Sequence, residues 1–210
     1  MNQKNGKNSL GLDKCFENLD NPIDLFEKWF SKAKETEIND PNALALATSD
    51  NKNQPSVRMV LLKGLSKKGF VFFTNFNSKK GRELKNNTRA SMCFHWKSLR
   101  RQVRIVGLVE KVTEQEADEY FYSRPYKNKI GAWASSQSEV MDKKETFLSK
   151  INEFEKKYPD ENSVPRPSHW SGWRVLPKEI EFWVEGEGRI HERLNYIKEN
   201  DKWKKEILYP

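Results

Sequence analysis

The sequence predicts an α+β fold: an antiparallel β-barrel core with helices packed around it. Three observations carry this. Short runs rich in β-branched and aromatic residues recur along the chain, separated by loops bearing Asn, Lys, Ser and Gly. Capped or amphipathic helical stretches interrupt these runs without a βαβ rhythm. With 210 residues, the chain suits one domain of ordinary size, able to bury a core without disulfides or metals.

Residues 1–20 lack periodicity and carry Asn, Lys and Gly, which predicts a mobile arm ahead of a single domain over 21–210. Ile23, Phe26, Phe30 and Ala33 fall at helical spacing behind Asn21 and Pro22, an N-cap and an N1 proline, so a helix is expected over 22–34. Asn39-Asp40-Pro41 breaks the chain. Strands are expected over 43–48, 56–63, 70–74, 91–96 and 102–112. Ser78 can cap a short helix to about Asn86, and Thr113 with Glu116 has the capping-box pattern for a helix through Tyr120 and Phe121. A further helix is expected over 142–157, a loop over 162–167, and strands over 173–175, 179–184, 189–196 and 203–209.

Composition narrows the function. Formal net charge is +8, with pI about 9.3, which suits anionic partners or simply a lysine-rich surface. Cys15 and Cys93, far apart in sequence, make neither a disulfide framework nor a metal-ligand pair. His95, His169 and His191 do not pair at ligand spacing, so no metal site is expected. Met1–Leu10 is polar, and no run approaches the roughly 20 apolar residues of a membrane span. A cytoplasmic protein with no membrane partner is expected. Neither a dinucleotide-binding glycine motif, a P-loop nor a G-x-S-x-G elbow occurs. Difficult chemistry would then belong to an organic cofactor. Basic strands near Phe72, Phe73 and Trp96 loosely suit single-stranded nucleic acid, but no specific motif supports it, and no nucleic-acid partner is expected.

Four clusters could hold a phosphorylated ligand. In Arg58-Met-Val-Leu-Leu-Lys63, cations end an apolar strand; either the strand ends reach solvent or each cation meets an anion. Ser78-Lys79-Lys80 opens a helix with lysines that oppose the macrodipole, which an anion at the amide N–H groups would resolve. Gln102 and Arg104 share a strand face with Val106, either as an exposed surface or as a polar edge against a ring system. Arg189, His191 and Arg193 fall at period two, which on a strand puts three cation-capable groups on one face and calls for something anionic opposite. Trp183, on the preceding strand, could pack against a flat ring.

Taken in order, these clusters resemble the pyridoxamine 5′-phosphate oxidase family. The resemblance rests on Arg58-Met-Val-Leu-Leu-Lys63, Phe73-Thr74-Asn75, Ser78-Lys79-Lys80, Arg101-Gln102-Val103, Tyr120-Phe-Tyr-Ser-Arg124-Pro125, Ile130-Gly-Ala-Trp133-Ala-Ser-Ser-Gln137-Ser138, Ile180-Glu-Phe-Trp183 and Arg189-Ile-His191-Glu-Arg193. It spans about Asp20 to Pro210, with Glu199–Trp203 and Leu208-Tyr-Pro210 also matching. It implies an FMN-binding split β-barrel and a homodimer with FMN at the subunit interface. It also implies oxidation of pyridoxamine or pyridoxine 5′-phosphate to pyridoxal 5′-phosphate, by hydride transfer to FMN and reoxidation by O2 with release of hydrogen peroxide.

By the same resemblance, FMN contacts fall on Arg58, Met59, Val60, Leu61, Leu62, Lys63, Phe73, Thr74, Lys79, Lys80, Gln102, Gln137, Ser138, Trp183 and Arg193. Substrate contacts fall on Lys63, Tyr120, Arg124, Asn128, Arg189, Ile190 and His191, with Arg189 and His191 beside the reacting carbon. Asn128 stands where serine is usual, Lys79 where arginine is frequent and Ile190 where leucine is frequent. An Arg- and Tyr-bearing N-terminal lid segment has no clear counterpart. The alternatives are a related split-barrel flavoprotein acting on another substrate, such as a phenazine precursor, and a non-catalytic flavin-binding protein.

Overall fold

The structure, a computed structural model, describes residues 7–210. It begins with helix α1 (Pro22–Thr36), where the Asn21 side chain accepts a hydrogen bond from the Ile23 amide (3.0 Å). Then come β1 (Ala43–Ser49), β2 (Pro55–Leu61), a three-residue β3 (Gly64–Ser66), β4 (Gly69–Asn75), α2 (Lys79–Asn86), β5 (Arg89–Trp96) and β6 (Arg101–Lys111). Three helices follow, α3 (Glu114–Tyr122), α4 (Tyr126–Ala134) and α5 (Lys144–Lys157), and then β7 (Trp170–Val184), β8 (Glu192–Glu199) and β9 (Lys202–Leu208).

All strand pairs are antiparallel, in the order β2-β1-β5-β6-β7-β4-β3, with β8 and β9 added beside β7. The long β7 explains the split. Its first half pairs with β4 (Asn75↔Trp170 to Phe70↔Val175) and its second half with β8 (Glu179↔Ile197 to Val184↔Glu192). β6 pairs along almost all of β7, from Lys111↔Trp173 to Arg101↔Val184. The expected strands 173–175 and 179–184 are therefore one. Pro177 interrupts the pattern because it has no N–H, and the ladder accommodates it with a register shift at Val106/Gly107. Gly107 is required there, since a Cβ would stand 2.2 Å from the Leu176 carbonyl oxygen.

Alternation along β6 sends Val103, Ile105 and Val109 inward. They meet Phe26 of α1, whose ring packs edge-on against Phe70 (4.9 Å) and Phe94 (5.0 Å). The opposite face of the same sheet is apolar and open: Val57 is 68% exposed, Met59 65% and Val106 45%. Across the ladders, Val57 faces Ala47, Ala47 faces Ser91 and Ser91 faces Val106, so these small and apolar residues form one continuous row.

Three expectations need correction. Residues 1–6 of the expected arm lie outside the described residues, but Leu12 and Phe16 are buried in the barrel core and the Trp29 indole donates to the Cys15 carbonyl (2.7 Å). Two anchors in a polar stretch leave no periodicity to read. The expected strand 189–196 begins only at Glu192, because Glu187–Arg189 is a 3₁₀ turn with Gly188 (φ 62°) and Arg189 (φ 65°) in the left-handed region. Arg189 and His191 thus precede the strand, and the shared strand face inferred from period two does not exist. Finally, α4 was not anticipated. It starts on Pro125 without a side-chain cap and contains Gly131, so it carries no start signal.

Candidate active site

A cleft of about 670 Å³ opens between strands β2 and β4 on one side and helices α3 and α4 on the other. It brings together eleven of the sequence-predicted site residues: Met59, Val60, Leu61, Lys63, Phe73, Thr74, Lys80, Tyr120, Arg124, Asn128 and Gln137. They come from five elements and three loops, spread over some eighty positions of sequence.

One wall is cationic. Ser78 caps α2 by accepting from the Gly81 amide (3.3 Å), which turns Lys80 inward. Gly81 permits this tight entry, since a Cβ there would lie 2.4 Å from the Phe76 carbonyl oxygen. Lys80 is buried, and among the described residues its ammonium donates only to neutral oxygens, Thr74 Oγ1 (3.2 Å) and Gln137 Oε1 (3.3 Å). Burial and the neighbouring Arg58 charge hold its pKa below the ordinary lysine value, against the opposing pull of Glu83. A buried ammonium so placed fits an anionic ligand group.

The other wall is aromatic. Phe73 stacks on Tyr120 (4.1 Å, 20° between planes) and on Trp170 (5.3 Å, 7°). Lys63 reaches over Tyr120, its Nζ 6.0 Å from the ring centroid. The Arg124 guanidinium lies over Trp170 (4.7 Å), and its buried Nη1 has no hydrogen-bond partner among the described residues. Burial pushes its pKa down, with Tyr120 opposing.

Arg58 does not face the cleft as a free cation. Its guanidinium donates to Leu46 O (3.2 Å), Thr48 Oγ1, Ser56 Oγ (2.5 Å) and Glu83 Oε2 (3.2 Å). Burial pushes the Glu83 carboxyl up, but hydrogen bonds from Thr48 and Ser56 and the Arg58 charge outweigh it, and the net pKa lies below the usual value. The anion expected opposite Arg58 is therefore a protein side chain. Leu62 is buried in the core and does not line the cleft. Lys79 is largely exposed and lies 4.0 Å from Glu83.

A second group stands apart. Gln102, Trp183 and Arg193 face one another across β6, β7 and β8, and none lines the cleft. The His191 ring lies 4.6 Å from Trp183, and its Nδ1 accepts a hydrogen bond from the Gly186 amide (3.3 Å). That contact leaves Nε2 free to carry the proton of the neutral ring. Arg189 and Ile190 are exposed on the preceding turn, and Ser138 is exposed with φ 72°. Arg193 already has its anion: Glu181, buried between Arg193 and Arg104. Sequence reasoning missed Glu83, Glu181 and Trp170. Glu181 carried a signal, an acid in the apolar run Ile180-Glu-Phe-Trp183.

Fold and cleft together define the FMN-binding split-barrel class. A pyridoxamine 5′-phosphate oxidase-related, FMN-binding protein from Nostoc punctiforme shares the architecture (TM-score 0.70, 15% identity, 88% of this chain and 96% of that one). PhzG from Burkholderia lata, solved with tetrahydrophenazine-1-carboxylic acid, is closer in shape (TM-score 0.88, 29% identity, 98% and 100%). The pyridoxamine 5′-phosphate oxidase family model matches residues 30–158, and the pyridoxine 5′-phosphate oxidase C-terminal dimerisation region matches 170–210. A pyridoxine/pyridoxamine 5′-phosphate oxidase of Pelagibacter ubique is 62% identical over 207 residues (98% of this chain, 100% of that one). That of Bartonella henselae is 50% identical over 206 residues (97% and 99%). The chain belongs to the pyridoxamine 5′-phosphate oxidase family, a family of oxidoreductases. Among the described residues, no helix is long and apolar enough to cross a membrane.

Proposed function

We propose that this chain is a cytoplasmic, homodimeric FMN-dependent oxidase that converts pyridoxamine or pyridoxine 5′-phosphate to pyridoxal 5′-phosphate, with residues 21–210 as its single catalytic domain. The observation that carries the reading is that one aromatic-lined cleft holds two separate cations, the buried Lys80 and the half-buried Arg124 with its enclosed Nη1. One suits the phosphate of a flavin mononucleotide, the other the phosphate of the substrate.

FMN would be held by the strand Arg58–Lys63 and by Phe73, Thr74, Lys79, Lys80, Gln137 and Ser138, with Gln102, Trp183 and Arg193 supplied by the second group. The chemistry that bound FMN supplies is acceptance of a hydride from the substrate's C4′ carbon and reoxidation by O2 with release of hydrogen peroxide. The chain's own side chains bind and orient. Lys63, Tyr120, Arg124 and Asn128 would grip the substrate phosphate, and Arg189 and His191 would align the amine or alcohol at the reacting carbon. His191 is suited to holding a proton at Nε2, because Nδ1 is engaged by Gly186.

The two groups of residues sit on different parts of one chain, so two chains would have to pair to complete a site. The open apolar row through Val57, Ala47, Ser91 and Val106, and the match to a dimerisation region, support this. The likeness to PhzG gives weight to a second reading, oxidation of a phenazine-type carboxylate. Such a substrate carries a carboxylate, which Arg124 could also receive, so the two readings are separated by which substrate reduces the flavin. Anaerobic addition of pyridoxamine 5′-phosphate to the yellow holoprotein tests the proposal: bleaching of the flavin is expected. No bleaching, or bleaching only by a dihydrophenazine carboxylate, would overturn it.

A further inference from the structure

Among the described residues Arg124 has no counter-ion. Its Nη1 is buried and unpartnered among the described residues, and its nearest supports are ring faces, Trp170 at 4.7 Å and Phe121 at 5.8 Å. Trp170 is itself rigidly placed. It is 6% exposed and opens β7 opposite Asn75 of β4. Its ring lies nearly parallel to Phe73 and meets Phe121 edge-on (5.1 Å, 67°). Its carbonyl accepts from Arg166 Nη1 (2.9 Å), and Arg166 in turn pairs with Asp118 (2.6 Å) and Glu114 of α3. The indole is thus fixed to the helix that carries Tyr120 and leads to Arg124.

We infer that Trp170 is a positioning residue for phosphate recognition: its indole face fixes the Arg124 guanidinium at the cleft by a cation–π contact and leaves the charge unneutralised for the substrate. The inference rests on reading the cleft as the phosphopyridoxyl site. A carboxylate in the same place would hold Arg124 as firmly, but it would compete with the incoming phosphate. A ring face offers attraction through its quadrupole without accepting the hydrogen bonds that the phosphate needs. Tryptophan is the strongest such partner, and the contact gains weight when desolvated, as here.

The test uses FMN-saturated holoenzyme and two substrates, pyridoxamine 5′-phosphate and pyridoxamine without its phosphate. Trp170→Leu should raise KM for the phosphorylated substrate about tenfold with kcat nearly unchanged, the scale of a desolvated cation–π contact. It should leave kcat/KM for the unphosphorylated substrate as in wild type. Trp170→Phe, which keeps a ring face and is the safer variant for folding, should recover most of the loss. In an Arg124→Met background, Trp170→Leu should add less than about a twofold further effect. Equal losses for both substrates, or a Trp170→Leu effect undiminished by Arg124→Met, would overturn the inference and mark Trp170 as structural only. A wild-type holoenzyme inert to pyridoxamine 5′-phosphate would instead overturn the functional reading. The Trp170–Arg124 coupling would then be read from equilibrium binding of pyridoxal 5′-phosphate to the same variants, and equal binding by all of them would sink it.

Discussion

Glu181 accepts two hydrogen bonds from Arg193, from Nε at 2.8 Å and Nη2 at 3.0 Å. Arg104 approaches the same carboxylate from the neighbouring strand, so one buried acid neutralises two cations across β6, β7 and β8. Burial alone would raise the Glu181 pKa, but hydrogen bonds from Arg193 and Arg104 and their charges outweigh it, and the net pKa lies below the usual carboxylate value. A carboxyl with a depressed folded-state pKa stabilises the fold above its unfolded value, and that stabilisation is lost as pH falls through the folded one. Arg193→Met should therefore do two things. It should weaken FMN, if Arg193 lies at the cofactor, and it should lower apo-protein stability by about 1–3 kcal/mol by leaving Glu181 short of a partner. Thermal melts of the apo-protein should show the mutant gap shrinking toward low pH; a pH-independent gap would count against the pairing.

Lys79 and Lys80 are adjacent in sequence and unequal in structure. Lys80 is buried with neutral partners inside the cleft, whereas Lys79 is exposed beside Glu83. Lys80→Ala should weaken FMN about tenfold or more, the scale of a charge-assisted phosphate contact, and Lys79→Ala by no more than a few fold. Flavin titration of the apo-proteins checks this, and the reverse order would place the flavin phosphate elsewhere.

The open apolar row on the outer sheet face predicts how the chain assembles. Val57 and Val106 are exposed on the single chain, yet they flank small residues in a continuous line. Asp at either position should cost the desolvation of a charge in a buried interface and shift the protein toward monomer. Light scattering across a concentration series reads the mass, and flavin absorbance reads the cofactor. Monomer and flavin loss should appear together; a mutant monomer that keeps full FMN occupancy would contradict a site shared between chains.

Much of the fold was legible because its signals are local. Asn21 and Pro22, the Thr113–Glu116 capping box and the Ser78 cap all mark helix starts within four residues. What escaped depends on distant partners. Pro177 looks like a strand end until Gly107 is seen opposite it, and Phe16 looks like part of a free arm until the core is there to receive it. The site divides the same way. Cations such as Arg58 and Arg193 stand out in apolar strands, but their carboxylates, Glu83 and Glu181, lie 25 and 12 positions away. A missing counter-ion in sequence therefore pointed to a ligand where the chain supplies its own anion.

That lesson bears on Arg189 and His191. Period-two spacing suggested one strand face, but both precede β8, on a turn where Arg189 takes φ 65°. Their common placement comes from the turn itself: Gly186 donates to His191 Nδ1, and Gly186 allows the close return because a Cβ would stand 1.8 Å from the Ile190 carbonyl oxygen. Neither side chain is held by an ion pair among the described residues, unlike Arg193. A turn residue that contributes little to packing can be exchanged with little effect on stability. Arg189→Met and His191→Asn should therefore fold, dimerise and bind FMN as wild type does. Each should lose catalytic efficiency by about tenfold or more, the scale of one lost charged contact or one misplaced orienting group. Arg193→Met should differ by losing flavin and stability together. Stopped-flow reduction of FMN-saturated protein by pyridoxamine 5′-phosphate separates the cases. Wild-type reduction rates in both Arg189→Met and His191→Asn would show that this turn does not face the substrate.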